Sequence, residues 1–268
     1  MDAIIIAGGT PQPEDPLYTY SQGKPKALID INGRPMIVWV LDALNQAQSV
    51  DELVVVGIDN PADQETIQAE IGSPIKFLHN TGGLVSNGLK GLEYVYAKHQ
   101  KHVPVIGCSS DIPHMQPHMI DDLVSQCQPL DHILYYAAVT PEIMEQTYPD
   151  AKRTFTNFAG QKLAGADIFV SNTRILKTNE ALWKKMINAR KNPLAMAWAV
   201  GLWPLLKLAT GRMSVEDAAA LAGRRLEDDR PMGFVYTPFA ELAMDGDKPH
   251  QIDILRSQVE GRESGANR

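Results

Sequence analysis

The chain has 268 residues, of which 44% are hydrophobic and 21% are charged, and its formal net charge at pH 7 is -7. This composition is typical of a globular protein of enzyme size, and the acidic balance argues against a partner nucleic acid. Two cysteines, Cys108 and Cys127, exclude a disulfide scaffold and a cysteine-rich zinc site. We expect a cytoplasmic protein, since no apolar signal core precedes the first predicted strand.

Apolar segments rich in β-branched residues alternate with amphipathic segments through the first half of the chain, a pattern typical of βα units. Strands are predicted at residues 3–7, 52–58, 75–79, 103–107 and 132–139, and helices at 35–45, 62–71, 85–99 and 117–126. A hairpin is predicted from residues 153–158 and 162–170, with Gly160 in its turn. The sequence therefore predicts an α/β fold of three layers, α/β/α, around a mostly parallel, Rossmann-like sheet.

Residues 181–226 interrupt this alternation, because their pattern predicts helix throughout. The apolar run at 194–208 is shorter than the ~18 residues that a membrane span requires, and Pro204 interrupts it. We expect a buried helix pair or a homodimer face here rather than contact with a membrane surface. Ser214 and Asp217 have the spacing of a capping box. The prediction is one domain at 1–260, with a helical insertion at 181–228 and a frayed tail at 261–268.

The first predicted strand ends at Ala7 and is followed by Gly8 and Gly9. Two glycines at this place leave backbone N–H groups free to approach a phosphate group. Lys24 and Lys26 follow where the chain returns toward the core. A P-loop requires Ser or Thr after its lysine, and a dinucleotide fingerprint requires three spaced glycines before a helix, so both are excluded. These residues predict a nucleoside triphosphate site of another kind.

The Ala-Gly-Gly loop followed by a Lys-Pro segment resembles the nucleotidyltransferase and sugar-nucleotide pyrophosphorylase superfamily, nearest its branch of molybdenum cofactor guanylyltransferases. The resemblance implies a nucleotide-diphospho-sugar transferase fold. It also implies transfer of a nucleoside monophosphate from an NTP to a small phosphorylated acceptor, with release of pyrophosphate. The superfamily's loop continues with a third glycine and an arginine, whereas residues 10–16 here include Glu14 and Asp15.

Asp111 lies just beyond the strand predicted at 103–107, at the edge where ligands of parallel sheets gather. By itself this residue would equally well cap a helix or close a turn. The resemblance implies that Asp111 and Asp247 together hold Mg²⁺, with Mn²⁺ as the alternative and Asp245 either assisting or structural.

The resemblance also assigns the nucleotide contacts. Lys24 is expected to offset charge on the leaving pyrophosphate, and Lys26 is the second candidate for this role. The loop after the third predicted strand resembles the base-reading segment of the superfamily through Gly82, Gly83, Ser86 and Asn87. The alternative is a glycine-rich loop in which Ser86 caps the next helix.

Arg153 and Asp167 occupy the region where relatives hold their second substrate. A guanidinium group binds phosphate in a bidentate manner, so Arg153 is the candidate clamp for a phosphorylated acceptor. The alternative is a surface arginine at a strand edge.

Two other functions remain open from the sequence. A glycosyltransferase that uses an NDP-sugar shares this architecture, but it usually carries Asp-x-Asp where this chain has Ser109, Ser110 and Asp111. A non-catalytic nucleotide-binding or oligomerisation module is favoured by the missing arginine and by the apolar helices. Turnover distinguishes the three, because they release pyrophosphate, a nucleoside diphosphate and neither product, respectively.

Overall fold

The computed structural model describes residues 1–177, 202–226 and 230–265. The described strands are β1 (Ala3–Ile6), β2 (Asp30–Ile31), β3 (Arg34–Pro35), β4 (Leu53–Val56), β5 (Ile75–Leu78), β6 (Pro104–Ser109), β7 (Leu134–Val139), β8 (Thr156–Phe158), β9 (Gln161–Asn172) and β10 (Met232–Tyr236). The described α-helices are α1 (Tyr18–Ser21), α2 (Met36–Gln46), α3 (Pro61–Ile71), α4 (Leu84–His99), α5 (Pro117–Gln126), α6 (Pro141–Thr147), α7 (Leu202–Ala209), α8 (Val215–Leu226) and α9 (Pro249–Gly265).

Seven of these strands form a mixed sheet in the order β10-β7-β9-β6-β1-β4-β5, and β8 pairs with β9 beside it. Strands β6, β1, β4 and β5 are parallel to one another, and β10 is parallel to β7. Strand β9 is antiparallel to both β6 and β7. This is the mostly parallel, Rossmann-like α/β fold that the sequence predicts.

The sheet is covered by helices on both faces because its central strands are apolar on both faces. Ile5 packs in a core cluster with α2 and α5, whereas its neighbour Ile4 packs in a second cluster with α4. Successive side chains of a strand point to opposite faces, so a strand buried on both faces has a continuous apolar run. The sequence of β1, Ala-Ile-Ile-Ile, is such a run.

The predicted elements of the first half are confirmed, each with ends within two residues of the observed ones. The predicted hairpin is also present, formed by β8 and β9. Several described elements were not predicted, among them the short α1, β2 and β3 and also α6 and β10. Helix α6 has seven residues, too few for a clear helical periodicity, and the five-residue β10 pairs with a strand distant in sequence.

The helical insertion predicted at 181–228 is described only in part. Helices α7 and α8 lie within it, and the N–H of Asp217 donates to Ser214 Oγ (3.0 Å), which confirms the predicted cap. The remainder, residues 181–201 and 227–228, lies outside the described residues. At the other end, α9 continues to Gly265, so helix is present where a frayed tail was expected; residues 266–268 lie outside the description. Within the described ranges, none of the helices has both the length and the apolar character that crossing a bilayer requires.

Candidate active site

Two loops that carry predicted site residues leave the same edge of the sheet. Strands β1 and β6 are parallel neighbours, with Ile6 paired to Ser109. The residues that follow them are Gly8 on one side and Asp111 on the other. Carboxyl ends of parallel strands share an edge, which is where such sheets bind ligands.

Gly8 is enclosed so closely that an added Cβ atom would force neighbouring side chains to shift. A Cβ atom added there would lie 2.6 Å from Nδ2 of Asn87 and 2.7 Å from Oδ1 of Asn80. Gly57, the residue that directly follows β4, has φ +113°. A Cβ atom added to Gly57 would lie 2.4 Å from the Cα of Gly8. By contrast, nothing lies within 4 Å of a Cβ added to Gly9. The loop after β1 is therefore packed at its first glycine and open at its second.

The loop at 80–83 is fastened to Gly8 by two asparagines. Asn80 Nδ2 donates to the carbonyl oxygen of Gly8 (3.0 Å), and Asn87 Nδ2 donates to Asn80 Oδ1 (3.1 Å). Asn87 Oδ1 accepts hydrogen bonds from both the N–H and the hydroxyl of Thr81, each at 2.7 Å. Asn87 is only 2% exposed. In this structure it orders the loop rather than presenting its amide to a ligand.

The other predicted base-binding residues lie on the outer side of this loop. Gly82 is exposed with φ +82°, and Gly83 is the residue that precedes α4. Ser86 Oγ donates to the carbonyl oxygen of Gly83 (3.1 Å), so Ser86 is inside the first turn of α4 and is not its N-cap. The structure thus brings Gly8, Gly82, Gly83 and Ser86 into one neighbourhood, with Ala7 buried behind them.

Lys26 lies between the two carboxylates that were predicted to hold a metal ion. Its backbone N–H donates to the carbonyl oxygen of Gly9 (2.8 Å), and its ammonium group donates to both Asp111 and Asp247. Asp111 is 6% exposed and also accepts from the hydroxyl of Ser109. Burial by itself lowers the pKa of Lys26, but the charges of the two carboxylates outweigh burial and raise this pKa above its ordinary value.

Lys24 has a different setting from Lys26. Its backbone N–H donates to the carbonyl oxygen of Ser21 (2.9 Å), and its side chain is exposed. Of the two lysines, it is Lys26 that lies against Asp111. From the sequence, Lys24 was the first candidate for the role of offsetting charge on pyrophosphate and Lys26 was the second. The role of Lys24 toward a triphosphate stays a prediction.

Arg153 is held by two acidic side chains and a backbone group. Its Nη1 donates to Asp245 Oδ1 (2.6 Å), and its Nη2 donates to the carbonyl oxygen of Gly165 (2.9 Å) and to Asp167 Oδ2 (3.1 Å). The side chain is 16% exposed. The alternative of a surface arginine on a strand edge is therefore wrong.

Carboxylates outnumber cationic side chains at this edge of the sheet. The group comprises four acids and two bases, namely Asp111, Asp167, Asp245, Asp247, Lys26 and Arg153. Burial, and then the charges of Asp245 and Asp111, raise the pKa of Asp167 to about 8, against the opposing effect of Arg153. Because burial penalises a surplus of negative charge, this group gains stability from binding a cation.

The two predicted metal ligands fit Mg²⁺ in their chemistry. Asp111 and Asp247 each direct one carboxylate oxygen at Nζ of Lys26, so they converge on a single cation. Magnesium prefers oxygen ligands and is often bound by one or two carboxylates together with waters and substrate phosphates. Among the residues that the structure describes, no set of three or more His, Cys, Asp or Glu side chains is arranged to hold a metal ion. The residues fit a metal ion that shares its ligands with a phosphate chain.

Two residues of this site, Asn80 and Ser109, were not predicted from the sequence. Asn80 follows β5 at the same edge as Gly8, and its place after a parallel strand was the available signal. Ser109 is the last residue of β6, two positions before Asp111, where a hydroxyl at a strand end would have indicated it.

Comparisons with known proteins identify the family and the fold of this chain. A family model described as "MobA-like NTP transferase domain" matches residues 3–227. A solved structure of a hypothetical transferase from Thermus thermophilus is 28% identical, has a TM-score of 0.77, and the alignment covers 94% of this chain and 98% of that chain. A comparison with curated proteins found no match.

Two further solved structures share the fold at low sequence identity. The 4-diphosphocytidyl-2C-methyl-D-erythritol synthase from Anaerococcus prevotii is 12% identical with a TM-score of 0.58, covering 97% of this chain and 95% of that chain. A CMP:2-keto-3-deoxy-manno-octonic acid synthetase complexed with CTP is 13% identical with a TM-score of 0.55, covering 98% of this chain and 100% of that chain.

Proposed function

Because this chain belongs to the MobA-like NTP transferase domain family and is a nucleotidyltransferase, we propose that it moves a nucleoside monophosphate from an NTP to a small phosphorylated acceptor. An oxygen of the acceptor attacks the α-phosphorus, the bond from that phosphorus to the bridging oxygen breaks, and pyrophosphate leaves. Such a transfer depends on positioning and on stabilisation of charge more than on a protein nucleophile.

The observation that carries this proposal is the convergence of Asp111 and Asp247 on Lys26 beside the loop at Gly8 and Gly9. It supplies a cationic group and a pair of oxygen ligands next to backbone that is open to a phosphate. In the proposal, N–H groups of the Gly8–Gly9 loop bind the phosphate chain, and Lys26, with Lys24, offsets charge on the departing pyrophosphate.

Asp111 and Asp247 would hold Mg²⁺, or Mn²⁺ in its place. When bound, the ion would neutralise charge on the phosphate oxygens. The exposed Gly82 and the half-buried Gly83, with Ser86 behind them, would receive the nucleobase, and the buried Asn87 would keep that loop in place.

A thermal-shift panel tests the proposal. CTP, GTP, ATP and UTP are added separately, with and without Mg²⁺, to the unchanged protein and to Asp111→Asn. A ligand at ~100 times its Kd contributes about 2.7 kcal/mol, which raises Tm by roughly 5–10 °C for a chain of this size. We expect a magnesium-dependent shift with one or two of the triphosphates, and a smaller shift in the variant.

Pyrophosphate release, assayed with the triphosphate that shifts Tm, then distinguishes transfer from binding alone. The absence of a shift with all four triphosphates would reject the proposal. A shift with UDP-glucose or GDP-mannose instead would favour the glycosyltransferase alternative.

The same proposal extends to organisation and location. We propose one nucleotidyltransferase domain at 1–260, active in the cytoplasm, where Cys108 and Cys127 stay reduced.

We also propose a homodimer formed through residues 181–228. The half-exposed Leu206 of α7 supports an apolar contact there. Light scattering coupled to size exclusion tests the dimer, and a monomer at micromolar concentration would contradict it.

A further inference from the structure

The loop at 245–247 carries Asp247 to Asp111, and its position depends on contacts made by its neighbouring residues. The backbone N–H of Gly246 donates to the carbonyl oxygen of Asp111 (2.9 Å). On the preceding residue, Asp245 Oδ1 accepts from Arg153 Nη1 (2.6 Å) and from Gln251 Nε2 (3.2 Å). The side chain of Asp245 is therefore hydrogen-bonded to Arg153 and Gln251, and these contacts anchor the loop.

Packing on the other side of the loop is close. A Cβ added to Gly246 would lie 2.8 Å from Cδ1 of Ile252 and 3.0 Å from Sδ of Met36. Both of those side chains belong to the main core cluster and are fully buried. The loop is thus confined between the core and the guanidinium group of Arg153.

The second arm of the guanidinium is fixed to the sheet. Nη2 of Arg153 donates to the carbonyl oxygen of Gly165 and to Asp167, both on β9. Strand β9 pairs with β6, the strand that leads to Asp111. Arg153 therefore links the 245–247 loop, which carries Asp247, to β9. Strand β9 lies beside β6, the strand that positions Asp111.

We propose that Arg153 is a positioning residue that holds the 245–247 loop against the sheet, so that Asp247 and Asp111 converge on one cation. The proposal rests on the function proposed above, and it replaces the earlier hypothesis that Arg153 clamps the acceptor. Three donor contacts of its guanidinium go to groups of the protein itself, which favours the structural arrangement over recognition of a substrate phosphate.

The test measures the affinity of the full-length protein for Mn²⁺ in the absence of nucleotide. Electron paramagnetic resonance detects the bound ion. Removing a residue that orients a metal ligand costs about 10–100-fold in metal affinity. We expect such a loss in Arg153→Met. We expect an intermediate loss in Arg153→Lys, because a lysine keeps the charge but cannot reach Asp245 and Gly165 with one planar group. The matched control is Lys152→Met, which removes an exposed positive charge one residue away.

Hydrogen exchange provides a second readout, which does not depend on metal binding. In Arg153→Met, peptides spanning 244–249 should exchange faster, because the loop loses the anchor that keeps the N–H of Gly246 bonded to the carbonyl oxygen of Asp111. Strands β1 and β4 should stay protected. Inorganic phosphate is the probe for the competing hypothesis, measured by calorimetry on the same variants.

The proposal is overturned if Arg153→Met binds Mn²⁺ as the unchanged protein does and loses affinity for inorganic phosphate instead. If Arg153→Met does not fold, Asp245→Asn takes its place, because it keeps the side chain's shape but weakens its charge-assisted hydrogen bond to Arg153. Equal Mn²⁺ affinity and equal exchange in that variant would also reject the proposal. None of these measurements requires turnover, so a failure of the proposed transferase reaction is seen separately.

Discussion

The ammonium group of Lys26 donates a hydrogen bond to the carboxylate of Asp111, a side chain 85 residues further along the chain. The same ammonium group donates to Asp247, so one lysine pairs with both carboxylates that fit a magnesium ion. A metal ion and the ammonium group cannot occupy one position between two carboxylates. Lys26 and the metal ion therefore compete unless the lysine moves toward the phosphate chain.

Removing this lysine should strengthen metal binding in the absence of nucleotide. We expect Lys26→Met to bind Mn²⁺ roughly tenfold more tightly than the unchanged protein, a difference of about 1.4 kcal/mol. Lys26→Gln should also raise the affinity for Mn²⁺, since it too removes the positive charge of the lysine. Electron paramagnetic resonance titration measures the affinity, and Lys24→Met is the control with an exposed charge removed nearby. Equal affinities of Lys26→Met and Lys24→Met would contradict the prediction, as would a gain that persists when Asp111→Asn is added.

The two glycines after β1 should respond differently to one added methyl group. Gly8→Ala places a Cβ within 2.8 Å of the side chains of Asn80 and Asn87, which are held by hydrogen bonds. We expect it to lower the free energy of unfolding by about 1–3 kcal/mol, the usual cost of overpacking. Gly9→Ala meets nothing within 4 Å, so its stability should be unchanged. Urea unfolding measures both, and equal losses of stability would contradict this account of the loop.

Substitution of the buried Asn87 and substitution of the half-buried Ser86 should also differ in their effect on stability. Asn87→Ala removes the acceptor of two hydrogen bonds from Thr81, each worth about 0.5–1.5 kcal/mol, and also the hydrogen bond that Asn87 donates to Asn80. Ser86→Ala removes one hydrogen bond to Gly83, worth about 0.5–1.5 kcal/mol. We expect Asn87→Ala to lower both Tm and nucleotide affinity, whereas Ser86→Ala changes Tm little. Thermal shift with the triphosphate that binds measures both effects. A larger loss of Tm in Ser86→Ala would show that Asn87 does not order the loop.

The stability of the protein should depend on pH through Asp167. Its pKa is raised to about 8 in the folded chain, whereas an unfolded aspartate has a pKa of about 3.9. Between these values the folded state binds the proton and the unfolded state does not, so this residue lowers stability as pH rises from about 4 to about 8. Asp167→Asn removes that dependence. We expect its Tm, relative to the unchanged protein, to increase from pH 5 to pH 8 and then to level off. A difference in Tm that is constant over this range would contradict the raised pKa.

The extent to which the sequence predicted this protein differs between its elements. The glycine pair after β1 and Asp111 after β6 were found because each follows an apolar strand, and the edge they share follows from parallel pairing alone. Strand β10 was missed because its partner β7 is far away in sequence, so that only tertiary pairing identifies Met232–Tyr236 as a strand. Local pattern carries no information on such a partner.

The choice between the two lysines could not be made from the sequence either. Lys24 and Lys26 are two residues apart, and both suit a site for phosphate. Their difference depends on the hydrogen bond from the N–H of Lys26 to Gly9 and on the short 3-10 turn at Lys26–Leu28, which direct one side chain inward. Arg153 is a similar case. Its residue type indicated a phosphate clamp, whereas its contacts with Asp245 and Asp167 are visible only in the folded chain.

The sequence by itself determined the class of fold, the places where strands end in glycine or aspartate, and the superfamily to which those loops belong. These properties are encoded locally, because the period of apolar residues and the chemistry of a turn involve neighbours in the chain. Only the tertiary structure decided which charges meet. Lys26 pairs with residues 85 and 221 positions away, and such pairs form only when the sheet and α9 bring separate loops to one edge.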